Sequence, residues 1–172
     1  MWNSYRFIRM KGYVLEDDYE SSYLGVQRPC KTPIASKVNK LSKMIPLIFP
    51  PLTVDQMKRL VSHQPVAVAL NTPDCFKMYQ SGILREEDCE CTSDSYFGAE
   101  IEQSGVVIGY SSNLLTFVCQ GYWIVKNSWG EQWGENGYIR LCIPADSTVL
   151  PLGMCNVQAF VQLPQIGLIN FE

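Results

Sequence analysis

Seven cysteines and a single histidine are the side chains of this sequence with the greatest chemical reach. A thiolate can act as a nucleophile, but it needs a base or a cation beside it, and the only imidazole available is His63. Cys30, Cys75, Cys89, Cys91, Cys119, Cys142 and Cys155 include no C-x-x-C pair, and His63 sits far from them in sequence, which argues against a zinc site. Loop positions such as Cys30 and Cys89-Glu90-Cys91 instead suggest disulfides and an oxidising compartment. An odd number leaves at least one thiol unpaired or linked to another chain. His63 falls at the end of an amphipathic stretch and reads as a solvated helix-end residue.

The densest cluster of special residues runs from Gly121 to Arg140 and includes Asn127-Ser128-Trp129-Gly130 and Gly137-Tyr138-Ile139-Arg140. An apolar strand would deliver Asn127 to its end, Gly130, Gly134 and Gly137 would permit a tight loop, and Trp129 and Trp133 would pack over that loop. An asparagine so placed can orient a partner side chain in dry surroundings. On these residues alone the stretch also describes a packed aromatic corner capped by an asparagine.

The elements that must carry this corner follow from pattern. Trp2, Tyr5 and Ile8 are spaced by three and Gly12 is placed to stop a short helix. Residues 13–32 read as a polar, acidic loop with a turn at Pro29, and Pro33, Pro46, Pro50 and Pro51 suit extended connectors. Thr53-Val54-Asp55-Gln56 fits a capping box, and Val54, Met57, Leu60 and Val61 give the following helix one apolar face, ended by Gln64-Pro65. Residues 65–70 form a short apolar run typical of a buried strand. One helical turn is expected over 76–79, a tight turn at Ser81-Gly82, and a disulfide-tied surface loop over 85–103. Residues 105–110, 117–125, 137–142 and 156–163 read as strands. One helix followed by four or five strands predicts an α+β fold built on a partly closed antiparallel barrel with helical flanks.

Composition sets the outer bounds. The chain has 172 residues, 47% apolar and 18% charged, enough for one domain with a sizeable core. With 14 Lys+Arg against 17 Asp+Glu, it offers no electrostatic footprint for nucleic acid. The longest nearly uncharged apolar stretch, 114–125, is interrupted by Gln120 and Gly121 and is too short to span a bilayer. Arginines are mixed into the first nine residues, so no signal-peptide core is expected there.

The 121–140 stretch resembles the Asn-Ser-Trp-Gly segment of papain-like cysteine proteases, the family that includes the cathepsins. Further similar segments follow in that family's order: 2–12 and Glu16-Asp17-Asp18-Tyr19, Cys30-Lys31, 64–70, 76–83 and 153–157. The resemblance covers nearly the whole chain but only about the second half of the family's mature enzyme. It implies a remnant helix of the left-hand domain over 1–12 and a right-hand β-barrel domain over 13–172, with the helical left domain largely missing.

The family's catalysis uses a Cys thiolate, a His and an Asn that orients the His. By resemblance Asn127 is the surviving member of that triad and Trp129 is its cover. No cysteine lies in a Cys-Gly-Ser-Cys-Trp segment. The strand that should bring the His reads Ile101-Glu102-Gln103-Ser104-Gly105, so Glu102, Gln103 or Ser104 stands in its place, according to the register. The resemblance also carries substrate-binding roles onto Ala69, Gly105 and Trp129. It pairs Cys155 with a cysteine of the 89–91 loop, Cys89 favoured and Cys91 left open. Cys30 loses its family partner, and Cys119 and Cys142 are extra.

The expected function is therefore that of a papain-like peptidase homologue that is catalytically incompetent as this chain. The alternative, from a different class, is a non-catalytic module that binds peptides or a protease. No cofactor or metal is expected. The partner is a polypeptide substrate or a protein, and the surface that faces the left domain in the family is expected to promote association. Family habit implies a lysosomal or secreted location.

Overall fold

Local chemistry begins the larger part of the structure, a computed structural model, at Thr53. Its Oγ1 accepts from the Gln56 amide at 3.2 Å, and Gln56 Oε1 accepts from the Thr53 amide at 2.9 Å. This capping box opens helix α2, Val54–Val61, which buries Val54, Met57, Leu60 and Val61 on one face, as the sequence predicts. The structure describes residues 2–19, 25–27, 29, 38–39, 43–45, 51–92, 99, 101–112 and 117–165. It forms two compact units, one of residues 1–46 and 164–172, the other of residues 47–163.

In the first unit, helix α1 spans Trp2–Lys11. Gly12 ends it at φ +86°, a conformation in which its N–H reaches Ile8 O at 2.7 Å. Tyr13 and Asn39 form an antiparallel bridge, and strand β1 spans Lys43–Ile45. The expected free thiol, Cys30, and the proline-rich connector positions Pro33, Pro46 and Pro50 lie outside the described residues.

The second unit is built on a mixed sheet. Its strands are β2 (Val66–Leu70), β3 (Ile83–Leu84), β4 (Gln103–Ser111), β5 (Cys119–Lys126), β6 (Tyr138–Pro144) and β7 (Val161–Gln165). Within this unit they lie in the order β7-β2-β4-β5-β6-β3. β2 is buried along its whole length because it is flanked by β4 and β7, which explains its unbroken apolar run. β5 instead alternates, with Cys119, Gly121, Trp123 and Val125 turned inward. Gly121 is required there: a Cβ would lie 2.0 Å from Ser111 O on β4.

Three expectations need correction. The described sheet is mixed rather than wholly antiparallel. β3 pairs parallel with β6 (Ile83↔Arg140), and among the described residues no ladder joins the outer strands, so the sheet is open. The single helical turn falls at Asp74–Lys77 (α3), two residues earlier than expected, with the extended Pro73 as its N-cap. The last strand begins at Val161 rather than residue 156, because Cys155 and Asn156 adopt φ of +51° and +65° around a 3₁₀ turn over Met154–Asn156.

Disulfides tie the loops to this sheet. Cys75 pairs with Cys89, Cys91 with Cys155, and Cys119 with Cys142. The favoured Cys89–Cys155 pairing is thus replaced by Cys91–Cys155. Cys89 lies two residues earlier and is taken by Cys75, on α3. The 85–103 segment is consequently held at two points.

Candidate functional site

Strand β5 delivers Asn127 to a position just past its end, where the Asn127 N–H donates to Gly137 O at 2.9 Å. Between these two residues the chain folds back on itself. Gly130, Gly134 and Gly137 make this fold with φ of +88°, +57° and +87°, a region open to glycine at little strain. The aromatic residues close over it. Trp129 meets Phe76 edge-on at 5.9 Å and Trp133 at 5.0 Å, while Trp133 stacks on Phe76 at 5.6 Å. Trp133 also donates its ring N–H to Lys77 O at 3.0 Å, fastening the loop to α3.

The far end of the loop is fixed by charge. Arg140 donates to both oxygens of Glu135, from Nε at 2.9 Å to Oε2 and from Nη2 at 2.5 Å to Oε1. Glu135 Oε1 also accepts from the Gly82 amide at 2.9 Å. The Arg140 hydrogen bonds hold the Glu135 carboxyl below the usual carboxylate range, and Glu135 in turn raises Arg140. Burial pushes the neighbouring Tyr79 phenol up, and its hydroxyl donates to Gly82 O at 2.6 Å. No sequence signal marked this network.

Asn127 is 9% exposed. Its Oδ1 accepts from the Ser128 amide at 2.8 Å and from Gln103 Nε2 at 3.2 Å. Gln103 Nε2 also donates to Ser128 Oγ at 3.0 Å. Asn127 Nδ2 is buried and has no hydrogen-bond partner among the described residues. Of the three residues considered at this point of the strand, Gln103 is the one that reaches Asn127. Glu102 turns instead to Thr72, whose Oγ1 donates to Glu102 Oε2 at 3.3 Å. Ser104 lies opposite Ala69 in the β2–β4 ladder. His63 is exposed at the end of α2, with its Nδ1 2.7 Å from Arg59 O, and takes no part in this group.

The small residues expected to shape a substrate pocket are packed. Ala69 is 4% exposed, and a Cβ on Gly105 would lie 2.9 Å from Val125 Cγ1 and 3.0 Å from Leu70 Cδ1. Trp129 is 37% exposed and presents an aromatic surface beside Ser128. One surface depression, of about 550 Å³, is lined by Met78, Gln80, Gln132 and Trp133 rather than by Ala69 or Gly105. Among the described residues no group of His, Cys, Asp and Glu is arranged to hold a metal ion.

Comparison with known proteins places this geometry. The family described as papain family cysteine protease matches residues 1–164. A cathepsin L-like proteinase of Fasciola hepatica is 28% identical over 167 residues, covering 97% of this chain and 45% of its own length. Vignain of Phaseolus vulgaris is 34% identical over 145 residues, covering 82% of this chain and 35% of its own length. The bromelain protease of Ananas comosus, solved in complex with the E64 inhibitor, superimposes with a TM-score of 0.71 at 27% identity. That match covers 95% of this chain and 68% of bromelain. The chain spans less than half the length of the curated relatives it matches, from 20% to 45% among those compared. With the match running through the Asn127 loop and the strands that hold it, the chain belongs to the papain family of cysteine proteases.

Proposed function

We propose that this chain is the right-hand portion of a papain-like cysteine peptidase, and that its own residues do not carry out peptide hydrolysis. On this basis residues 1–12 are the remnant helix of the left-hand half and 13–172 the right-hand domain. The observation that carries the proposal is the hydrogen bond from Gln103 Nε2 to Asn127 Oδ1. Gln103 occupies the place where an asparagine of this family orients an imidazole. A carboxamide cannot accept a proton from a thiol, so no thiolate–imidazolium pair can form there. Six of the seven cysteines are also consumed in disulfides, which supports the same conclusion. Cys30 precedes Lys31 and does not lie in a Cys-Gly-Ser-Cys-Trp segment.

The class of molecule engaged is polypeptide. Three disulfides fit an oxidising location, lysosomal or secreted. No helix among the described residues is long and apolar enough to cross a membrane. The test is to incubate the purified chain with fluorogenic dipeptide substrates and with an epoxide that traps papain-like thiolates. No turnover and no adduct are expected. A stoichiometric adduct on any cysteine overturns the proposal.

A second reading, a non-catalytic module that holds peptides or a protease, is favoured by a specific observation. Gln103, Asn127 and Ser128 remain mutually hydrogen-bonded beside the exposed face of Trp129, which keeps this wall ordered without a catalytic imidazole. Titration of the chain with a peptide tests it, and the peptides suited to that experiment follow from the charges nearby.

A further inference from the structure

We propose that Glu102 is a specificity-determining carboxylate, which takes a basic side chain, Arg or Lys, of a polypeptide crossing the start of β4. The proposal deepens the second, polypeptide-binding reading and rests on it. Glu102 is exposed, yet it is held at both ends. Its N–H donates to Leu70 O at 3.1 Å and its Oε2 accepts from Thr72, which is 2% exposed. A buried hydroxyl thus orients a solvent-facing carboxylate, so less side-chain freedom is lost when a cation binds it.

Among the described residues, the surrounding charges leave it unneutralised. Lys77 is the nearby cation whose field reaches Glu102, but its ammonium lies 2.9 Å from Asp74 Oδ1. Among the described residues, the two carboxylates Asp74 and Glu102 and the one ammonium of Lys77 leave this corner with one net negative charge. Lys126 lies opposite Val106 in the β4–β5 ladder, four residues further along β4. Consecutive residues of an extended chain project to opposite faces, so Glu102 and Gln103 flank the start of β4 from its two sides. A polypeptide crossing that end passes the charged residue on one side and the neutral Gln103–Asn127–Ser128 group on the other. The stretch from Thr72 to Phe76 borders both halves, touching Glu102 through Thr72 and Trp129 through Phe76.

The experiment uses the full chain and short acetylated Ala/Gly peptides in which a single Arg is walked through each position. Each peptide is compared by fluorescence anisotropy with its neutral Gln counterpart. At one position Arg is expected to bind about tenfold tighter than Gln, a preference eroded by raising salt because the pair is exposed. E102Q is expected to abolish the preference, so that the Arg and Gln peptides bind this variant equally. T72V is expected to reduce the preference by releasing the carboxylate. An Arg preference that survives E102Q, or peptides that bind with no preference, overturns the role of Glu102 and leaves the binding reading standing. If no peptide binds at any position, the polypeptide-binding reading fails and this proposal fails with it.

Discussion

Gln103 Nε2 lies 3.2 Å from Asn127 Oδ1 and 3.0 Å from Ser128 Oγ, so one carboxamide nitrogen spends its donors on two residues of the loop that follows β5. The two strands bring these residues together across a separation of 24 in sequence. Replacement of Gln103 by Leu leaves Asn127 Oδ1 with the Ser128 amide alone. Q103L is expected to lower stability by about 1 kcal/mol, measured by urea unfolding.

Q103H tests the chemical half of the same relationship. The variant places an imidazole beside Asn127 but adds no thiol. It is expected to show no turnover of fluorogenic dipeptides at any pH between about 5 and 8. Turnover would mean that a nucleophile is available to this site after all.

The packing around Gly105 separates a pocket from a filled space. G105A sets a Cβ 2.9 Å from Val125 Cγ1 and 3.0 Å from Leu70 Cδ1, both in the core. Overpacking of this kind costs about 1–3 kcal/mol, so the variant is expected to melt several degrees lower. An unchanged melting temperature would show that the space is open, as expected of a substrate pocket.

Glu135 contributes to the acid limb of stability. Its carboxyl is depressed in the folded state, first by the hydrogen bonds from Arg140, so its contribution is complete above the unfolded value near 4.3. That contribution is lost as pH falls through the lower folded value. The melting temperature is therefore expected to be level with respect to this group from neutral pH down to about 5 and to decline below about 4. E135Q is expected to flatten that part of the decline, and thermal scans of both proteins across the range check it.

Disulfide removal should rank by loop length. Cys91–Cys155 closes a separation of 64 residues, against 23 for Cys119–Cys142 and 14 for Cys75–Cys89. The chain-entropy relation gives losses of about 4 kcal/mol for the first and about 3 kcal/mol for the other two. Non-reducing peptide maps should recover these three pairs, and a Cys89–Cys155 peptide would contradict the arrangement.

The sequence by itself determined what local rules control. The capping box at Thr53, the four-residue apolar face of α2 and the buried run of β2 all depend on periodicities of 3.6 or 2. The glycines that turn the Asn127 loop were equally legible, because positive φ is a property of the residue itself. Family resemblance was legible for the same reason: it is carried by a contiguous stretch around Asn127.

Only the tertiary structure decided relations between distant residues. Glu102, Gln103 and Ser104 are neighbours in sequence, and a shift of one residue exchanges the faces they present. The ladder sets Gln103 opposite Leu70, and the carboxamide then meets Asn127. Cys89 and Cys91 pose the same problem two residues apart; contact with α3 assigns Cys89 to Cys75 and leaves Cys91 for Cys155. The parallel pairing of β3 with β6, which makes the sheet mixed, joins strands whose paired residues are 57 apart, Ile83 with Arg140. Spacing within a segment fixes which residues share a face, but only packing between segments fixes which faces meet, and the chemistry at Asn127 depends on the second.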